Sequence, residues 1–236
     1  PYTTLFRSRR FMSAMAAAPE ERVRRIVRGC LDRLERTGSR VEARSPAGPA
    51  GPADSGAEGA VRERTTRPPR ALDLGGGPGH MARAFVDAGL EVTLVDTPET
   101  VDFVGRTYGL EEVDGLSLVG ADFHDDPLPE GPWDVVLLSN VIHIYGADRN
   151  RRLLARVADV TGPGGVVGVM DFVRGRSPRA ARFALVMLLR TDEGDTYAAD
   201  EISGWMEEAG LGEIRLEDVD DDRQLVTALR PPAPTA

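Results

Sequence analysis

Between residues 70 and 230 the apolar positions alternate between short runs and helical spacings. Runs at 71–74, 91–95, 116–119, 133–138 and 166–170 predict strands. The run at 133–138 is almost continuously apolar, as in a central strand buried on both faces. Spacings of three and four residues predict helices at 79–88, 98–108, 147–160, 178–190 and 199–209. Two late strands, 212–218 and 223–229, flank the turn Asp220-Asp221-Asp222. Alternating strands and helices predict a parallel sheet covered on both faces, and the closing hairpin makes the last strand antiparallel to its neighbours. Right-handed crossovers then leave few topologies.

Upstream, Pro19 fits a helix start and Gly38 a stop. Val23, Ile26, Val27, Cys30, Leu31 and Leu34 fall on one face, and six arginines largely occupy the rest. A basic helix could touch nucleic acid or a membrane surface. An amphipathic helix with a solvated face is the commoner case and the one expected here. Residues 39–69 are rich in Ala, Gly, Pro and Ser and read as a flexible, disordered linker. Residues 1–8, PYTTLFRS, resemble the translation of a short-read sequencing adapter fused to an open reading frame. They are expected to carry no function, with the natural start lying upstream. The expected organisation is a remnant helical segment at 9–38, the linker at 39–69, one α/β domain at 70–231 and a tail at 232–236.

Composition narrows the function classes. The 236-residue chain has a net charge of −9, but residues 1–70 carry +7 and residues 71–236 carry −16. The acidic part is a poor partner for a phosphate backbone. A single cysteine, Cys30, excludes an internal disulfide and a cysteine-rich zinc cage. No apolar run approaches the roughly 20 residues that span a bilayer. A cytoplasmic location is expected, without membrane or nucleic-acid partners. Every cation is Arg and none is Lys, which we read as coding bias.

Asp73 to Gly79 form a D-x-G-x-G-x-G loop between the first strand and the first helix of the domain. Glycines allow a sharp turn and a close ligand approach, and the helix start offers free N–H groups. A dinucleotide fingerprint would place a third glycine at position 80, which is His80, so a pyrophosphate site is disfavoured. Asp96 ends the second strand, where a carboxylate can accept both hydroxyls of a ribose. Asp122 and Phe123 follow the third strand, where an acid can take an adenine amine and a ring can cover the base. Three such elements line the carboxyl edge of the sheet, where folds of this type bind ligands. Each acid alone is also compatible with a turn or helix cap.

With these residues in place, residues 70–230 resemble the catalytic domain of class I S-adenosylmethionine-dependent methyltransferases. The similarity is greatest to small-molecule O-methyltransferases of plant phenolics and bacterial aromatic polyketides. The strings that carry it are LDLGGGPG (72–79), LVD (94–96), GADF (120–123), LLSNVIH (137–143), GPGGVVGVMDF (162–172) and DEISGWMEEAGL (200–211). RFMSAM (10–15) is similar to the segment that precedes this domain. The resemblance implies a doubly wound, Rossmann-like, seven-stranded sheet. It also implies an upstream dimerisation domain that this chain lacks, so that the intact protein is a homodimer. S-adenosylmethionine is the implied cofactor and S-adenosylhomocysteine its product. Gly75, Gly77, Asp96, Asp122, Phe123 and Ser139 fall on cofactor-site positions, and Asp73, at the head of the glycine loop, is expected to bind the cofactor with them.

His143 falls on the catalytic base of the family. A phenol with a pKa near 10 is mostly protonated at neutral pH, and an imidazole is suited to remove its proton. Asp171 matches the first of two acids that flank the base. The second falls near Thr196, which is not an acid, and the family's Asp-Trp after the base is Ile144-Tyr145 here. On helix 178–190, Phe183, Met187 and Leu188 suit either core packing or a wall for the aromatic acceptor. The expected function is methylation of a hydroxyl on a small aromatic molecule. Methylation of nitrogen or carbon, and an inactive relative that keeps the cofactor pocket, are the alternatives.

Overall fold

The computed structural model describes residues 19–38 and 67–232. The adapter-like octapeptide, residues 9–18, most of the linker and all but the first tail residue lie outside them.

Seven strands form one sheet in the order β3-β2-β1-β4-β5-β7-β6. They are β1 (Arg70–Leu74), β2 (Glu91–Asp96), β3 (Leu116–Gly120), β4 (Trp133–Ser139), β5 (Thr161–Asp171), β6 (Gly212–Asp218) and β7 (Gln224–Leu229). The first five are parallel, and β7 runs antiparallel to both β5 and β6. The expected mostly parallel sheet with an antiparallel last strand is present. The strand order reverses between β1 and β4, so the carboxyl ends of both open into one crevice.

The described residues include six α-helices: α1 (Glu20–Arg36), α2 (His80–Asp87), α3 (Pro98–Tyr108), α4 (Ala147–Val160), α5 (Pro178–Arg190) and α6 (Ala199–Glu208). All but α5 pack on the sheet, and α5 packs on the turn that follows β4. Alternate residues of β4 face opposite layers, as the two-residue strand period requires. Val136 and Leu138 join Leu153, Leu154 and Val157 of α4 and Trp205 and Met206 of α6. Val135 and Leu137 join Phe85 of α2, Val104 of α3 and Ile26, Val27, Cys30 and Leu34 of α1.

The upstream helix is therefore part of this layer. α1 lies on β5 and β7 and beside α2. Arg22 Nε donates to Asp220 Oδ2 at 2.5 Å, and Arg25 Nη1 donates to the Val219 carbonyl at 3.2 Å. The fifth strand begins at Thr161 rather than 166. Thr161 pairs with Trp133, and a register shift before Val135 absorbs the Gly162–Gly165 segment, which sequence alone presents as a turn.

Candidate active site

Each element of the site leaves the carboxyl edge of a strand. At the end of β1 the chain turns through Gly75, whose φ is 71°. A Cβ there would stand 2.7 Å from Val141 Cγ2 and 3.7 Å from Phe123 Cε1, so only glycine fits. Gly79, with φ 78°, precedes α2, and a Cβ there would stand 2.6 Å from Leu110. Asp96 ends β2 and ties down the loop: its Oδ2 accepts the Gly77 N–H at 3.0 Å and its Oδ1 the Thr97 N–H at 2.7 Å. Burial pushes the Asp96 carboxyl up, and those two hydrogen bonds oppose the shift.

Asp73 is differently placed from the rest of the loop. It is fully buried beneath the glycines, and neither carboxyl oxygen has a hydrogen-bond partner of good geometry among the described residues. Burial, followed by the charge of Asp96, raises its pKa to about 7.

Asp122 is exposed past β3, and its Oδ1 accepts the His124 N–H at 3.0 Å. Phe123 is buried against the glycine loop. His124 packs on Tyr145 with ring centroids 3.8 Å apart. Burial, then the Arg149 charge, depresses the His124 pKa to about 4. Arg156 Nη1 donates to the carbonyls of Phe123 and His124 at 2.8 and 2.6 Å, which pins this segment. Ser139 ends β4, its Oγ accepting from Asn140 Nδ2 at 3.3 Å.

Asn140 then takes φ 57°, a left-handed conformation that asparagine tolerates better than most residues. The chain turns there and enters a 3₁₀ turn, Ile142–Ile144, that carries His143 over the end of β5. Asn150 of α4 holds the turn: its Nδ2 donates to the carbonyls of Ile142 and Tyr145 at 2.9 and 3.1 Å. His143 is 4% exposed and Asp171 1%. His143 Nδ1 lies 2.7 Å from Asp171 Oδ1 and 2.9 Å from Oδ2. The His143 backbone N–H also donates to Oδ2 at 3.3 Å, and the Phe172 N–H to Oδ1 at 2.8 Å. A carboxylate only accepts, so Nδ1 carries a proton, and in the neutral imidazole the lone pair then falls on Nε2. The sequence pairing of His143 with Asp171 is thus a direct contact.

The His143 ring meets Phe183 of α5 edge-on at 4.8 Å, and Phe183 lies 4.4 Å from Phe172. Met187, one turn on from Phe183, is buried. Leu188 is not on this wall: it is 72% exposed, because one residue along a helix rotates a side chain by about 100°. Thr196, at the second acid position, is buried with its N–H on Asp195 Oδ1 at 2.7 Å. The loop before it packs tightly under the base, since a Cβ on Gly194 would stand 2.5 Å from the His143 carbonyl oxygen. Asp171 is the single acid hydrogen-bonded to His143 among the described residues. Sequence reading passed over Phe172, Tyr145 and Asn150 as site residues. Phe172 had a signal, since it follows Asp171 at a strand end. Asn150 had none, because its partners are fixed only by the turn.

This sheet order, with a glycine loop and an acid after adjacent strands, is the arrangement with which α/β domains of this class bind nucleoside-containing ligands. An O-methyltransferase domain model matches residues 65–212, and the chain belongs to that family. It is 32% identical over 167 residues to the 8-O-methyltransferase of tetracenomycin polyketide synthesis from Streptomyces glaucescens, covering 68% of this chain and 49% of the relative. It is 32% identical over 155 residues to a 3-hydroxy-5-methyl-1-naphthoate 3-O-methyltransferase from Streptomyces sahachiroi, covering 62% and 44%. Among solved structures, human N-acetylserotonin methyltransferase in complex with S-adenosylmethionine matches with a TM-score of 0.62 and 25% identity, over 69% of this chain and 48% of that one. The chain spans about half the length of these relatives. No described helix is long and apolar enough to cross a membrane.

Proposed function

We propose that this chain carries the site for methyl transfer from S-adenosylmethionine to a hydroxyl of a small aromatic acceptor. The cofactor fits the residues present. The Asp96 carboxylate that ties down the glycine loop and the Phe123 ring packed near Gly75 suit a ribose and a purine. Gly75, Gly77, Asp96, Asp122, Phe123 and Ser139 would hold it, and it supplies a methyl group on a good leaving group. The chain's own contribution is alignment and proton removal. His143 Nε2 accepts the hydroxyl proton as the oxygen attacks, while the Nδ1–H bond to Asp171 holds the tautomer and stabilises the imidazolium that forms. Phe183 offers an apolar surface for a flat ring, and Met187, buried one turn on, backs it with an adaptable side chain. The single observation that carries this reading is the buried His143–Asp171 pair at the carboxyl edge that bears the glycine loop. The relatives named above, one acting on a naphthoate and one in polyketide synthesis, support an aromatic acceptor. The reading includes a homodimeric, cytoplasmic intact protein without nucleic-acid or membrane partners.

The test is transfer of a labelled methyl group to a panel of phenols. His143→Ala is expected to keep S-adenosylhomocysteine binding and to lose at least about 10²-fold in kcat. An unchanged kcat on a verified acceptor would remove the base role and favour nitrogen or carbon as the methylated atom.

A further inference from the structure

The wall beside His143 continues to a charged group. Arg223 precedes β7, its side chain 16% exposed, and its guanidinium lies over the Phe172 ring, 4.2 Å from the centroid. Phe172 meets Phe183 at 4.4 Å, and Phe183 meets His143 at 4.8 Å. Three successive contacts thus connect the base to a cation through two aromatic rings.

Among the described residues the ion pair of that cation is long and shared. Its Nε is buried without a hydrogen-bond partner among the described residues. The nearest acid, Asp220, stands 3.8 Å from Nη1, too far for a hydrogen bond. Asp220 is already committed: Oδ1 accepts the N–H groups of Asp222 and Arg223 at 2.9 Å each, and Oδ2 accepts Arg22 Nε at 2.5 Å. Asp222 accepts Arg179 at 2.9 Å. Asp171 favours the charge from the strand beside it but is bonded to His143 and the Phe172 N–H. Arg22 and Arg179 add like charge, and burial with these neighbours lowers the Arg223 pKa. Packing on Phe172 explains the position of the guanidinium. It leaves the buried N–H unsatisfied, which is costly.

We propose that Arg223 binds a carboxylate on the acceptor, so that the preferred substrate is an aromatic hydroxy acid and not a neutral phenol. A guanidinium presents a planar fork matched to a carboxylate, and partial desolvation strengthens the pair. A flat acceptor lying along Phe183 and Phe172 carries its hydroxyl at His143 and its acid at Arg223. The inference rests on the reading of His143 as a base toward an aromatic hydroxyl.

The test is direct binding to the full chain with S-adenosylhomocysteine present. The probes are 6-hydroxy-2-naphthoate, whose two groups lie at opposite ends, and its neutral methyl ester. Calorimetric titration is expected to show the acid binding at least about tenfold more tightly than the ester. Arg223→Gln is expected to bring the two to similar affinity, and Arg223→Lys, which keeps the charge, to retain part of the preference. Thermal unfolding of each variant checks that it folds. Equal binding of acid and ester by the unaltered protein overturns the proposal. So does undetectable binding of the acid, or an equal loss for both probes in Arg223→Gln, which would make Arg223 a support for the wall. Failure of methyl transfer to every acceptor would instead remove the proposed function, while the binding comparison still decides on Arg223.

Discussion

Asp73, buried, and His124, half-buried, are ionisable side chains that respond to pH in opposite senses. The Asp73 pKa is raised to about 7, by burial and then by Asp96, with the Ala82 N–H opposing. Between about pH 4 and 7 the folded chain therefore holds a proton that the unfolded chain releases. Stability from this group falls as pH rises through that window and is constant above it. Asp73→Asn is expected to gain on the unaltered protein between pH 4 and 7, by on the order of a few kcal/mol at its plateau. For His124, burial and then Arg149 depress the pKa to about 4. Its contribution is present above about pH 6.5, the usual imidazole value, and is lost as pH falls toward 4. His124→Phe is expected to remove that acid-side loss. Denaturant unfolding of both variants at pH 4.5, 6 and 8 separates the two effects. A difference independent of pH in either variant would show that the residue does not carry the assigned proton.

At the scale of elements, α1 changes what counts as the domain. Its apolar face covers Val166 and Met170 of β5 and Leu225 and Leu229 of β7, all buried in one cluster with Ile26 and Leu34. Ile26 is fully buried, so Ile26→Ala is expected to cost about 2–5 kcal/mol, read as a lower urea midpoint. A change below 0.5 kcal/mol would mean that the helix is a loosely attached arm. The amphipathic period of α1 was legible in sequence, and so were the seven strands, because buried runs and turn glycines mark them locally. The surface that α1 covers was not legible, since a periodic stripe names no partner and β5 and β7 begin more than 120 residues after α1 ends. The start of β5 was missed because Gly-Pro-Gly-Gly reads as a turn until Thr161 is seen beside Trp133. Within the site, Gly75, Asp96 and His143 stood at strand ends and in quoted strings. Arg223, at the start of the predicted strand 223–229, did not stand out, because its meaning depends on Phe172, 51 residues away in sequence.

For the whole molecule, the question is whether this fold, about half the length of its relatives, already forms the cofactor cradle. The loop, Asp96, Phe123 and Ser139 all belong to the sheet and its edge, and α1 completes the layer beneath the loop. S-adenosylhomocysteine should therefore bind the chain as it stands and stabilise it by mass action. At a hundredfold excess over Kd the gain is about 2.7 kcal/mol. For a chain of this size each kcal/mol moves the unfolding midpoint by roughly 2–4 °C, so a rise of roughly 5–11 °C is expected. NAD should leave the midpoint unchanged, because His80 stands where a pyrophosphate loop needs its third glycine. Asp96→Ala should weaken the binding by about 1–3 kcal/mol through lost charge-assisted bonds. It also releases the Gly77 N–H, so calorimetry at fixed temperature is needed to separate affinity from loop stability. Stabilisation by NAD equal to that by S-adenosylhomocysteine would sink the cofactor reading. No stabilisation by either would mean that the described fold alone does not form the cradle.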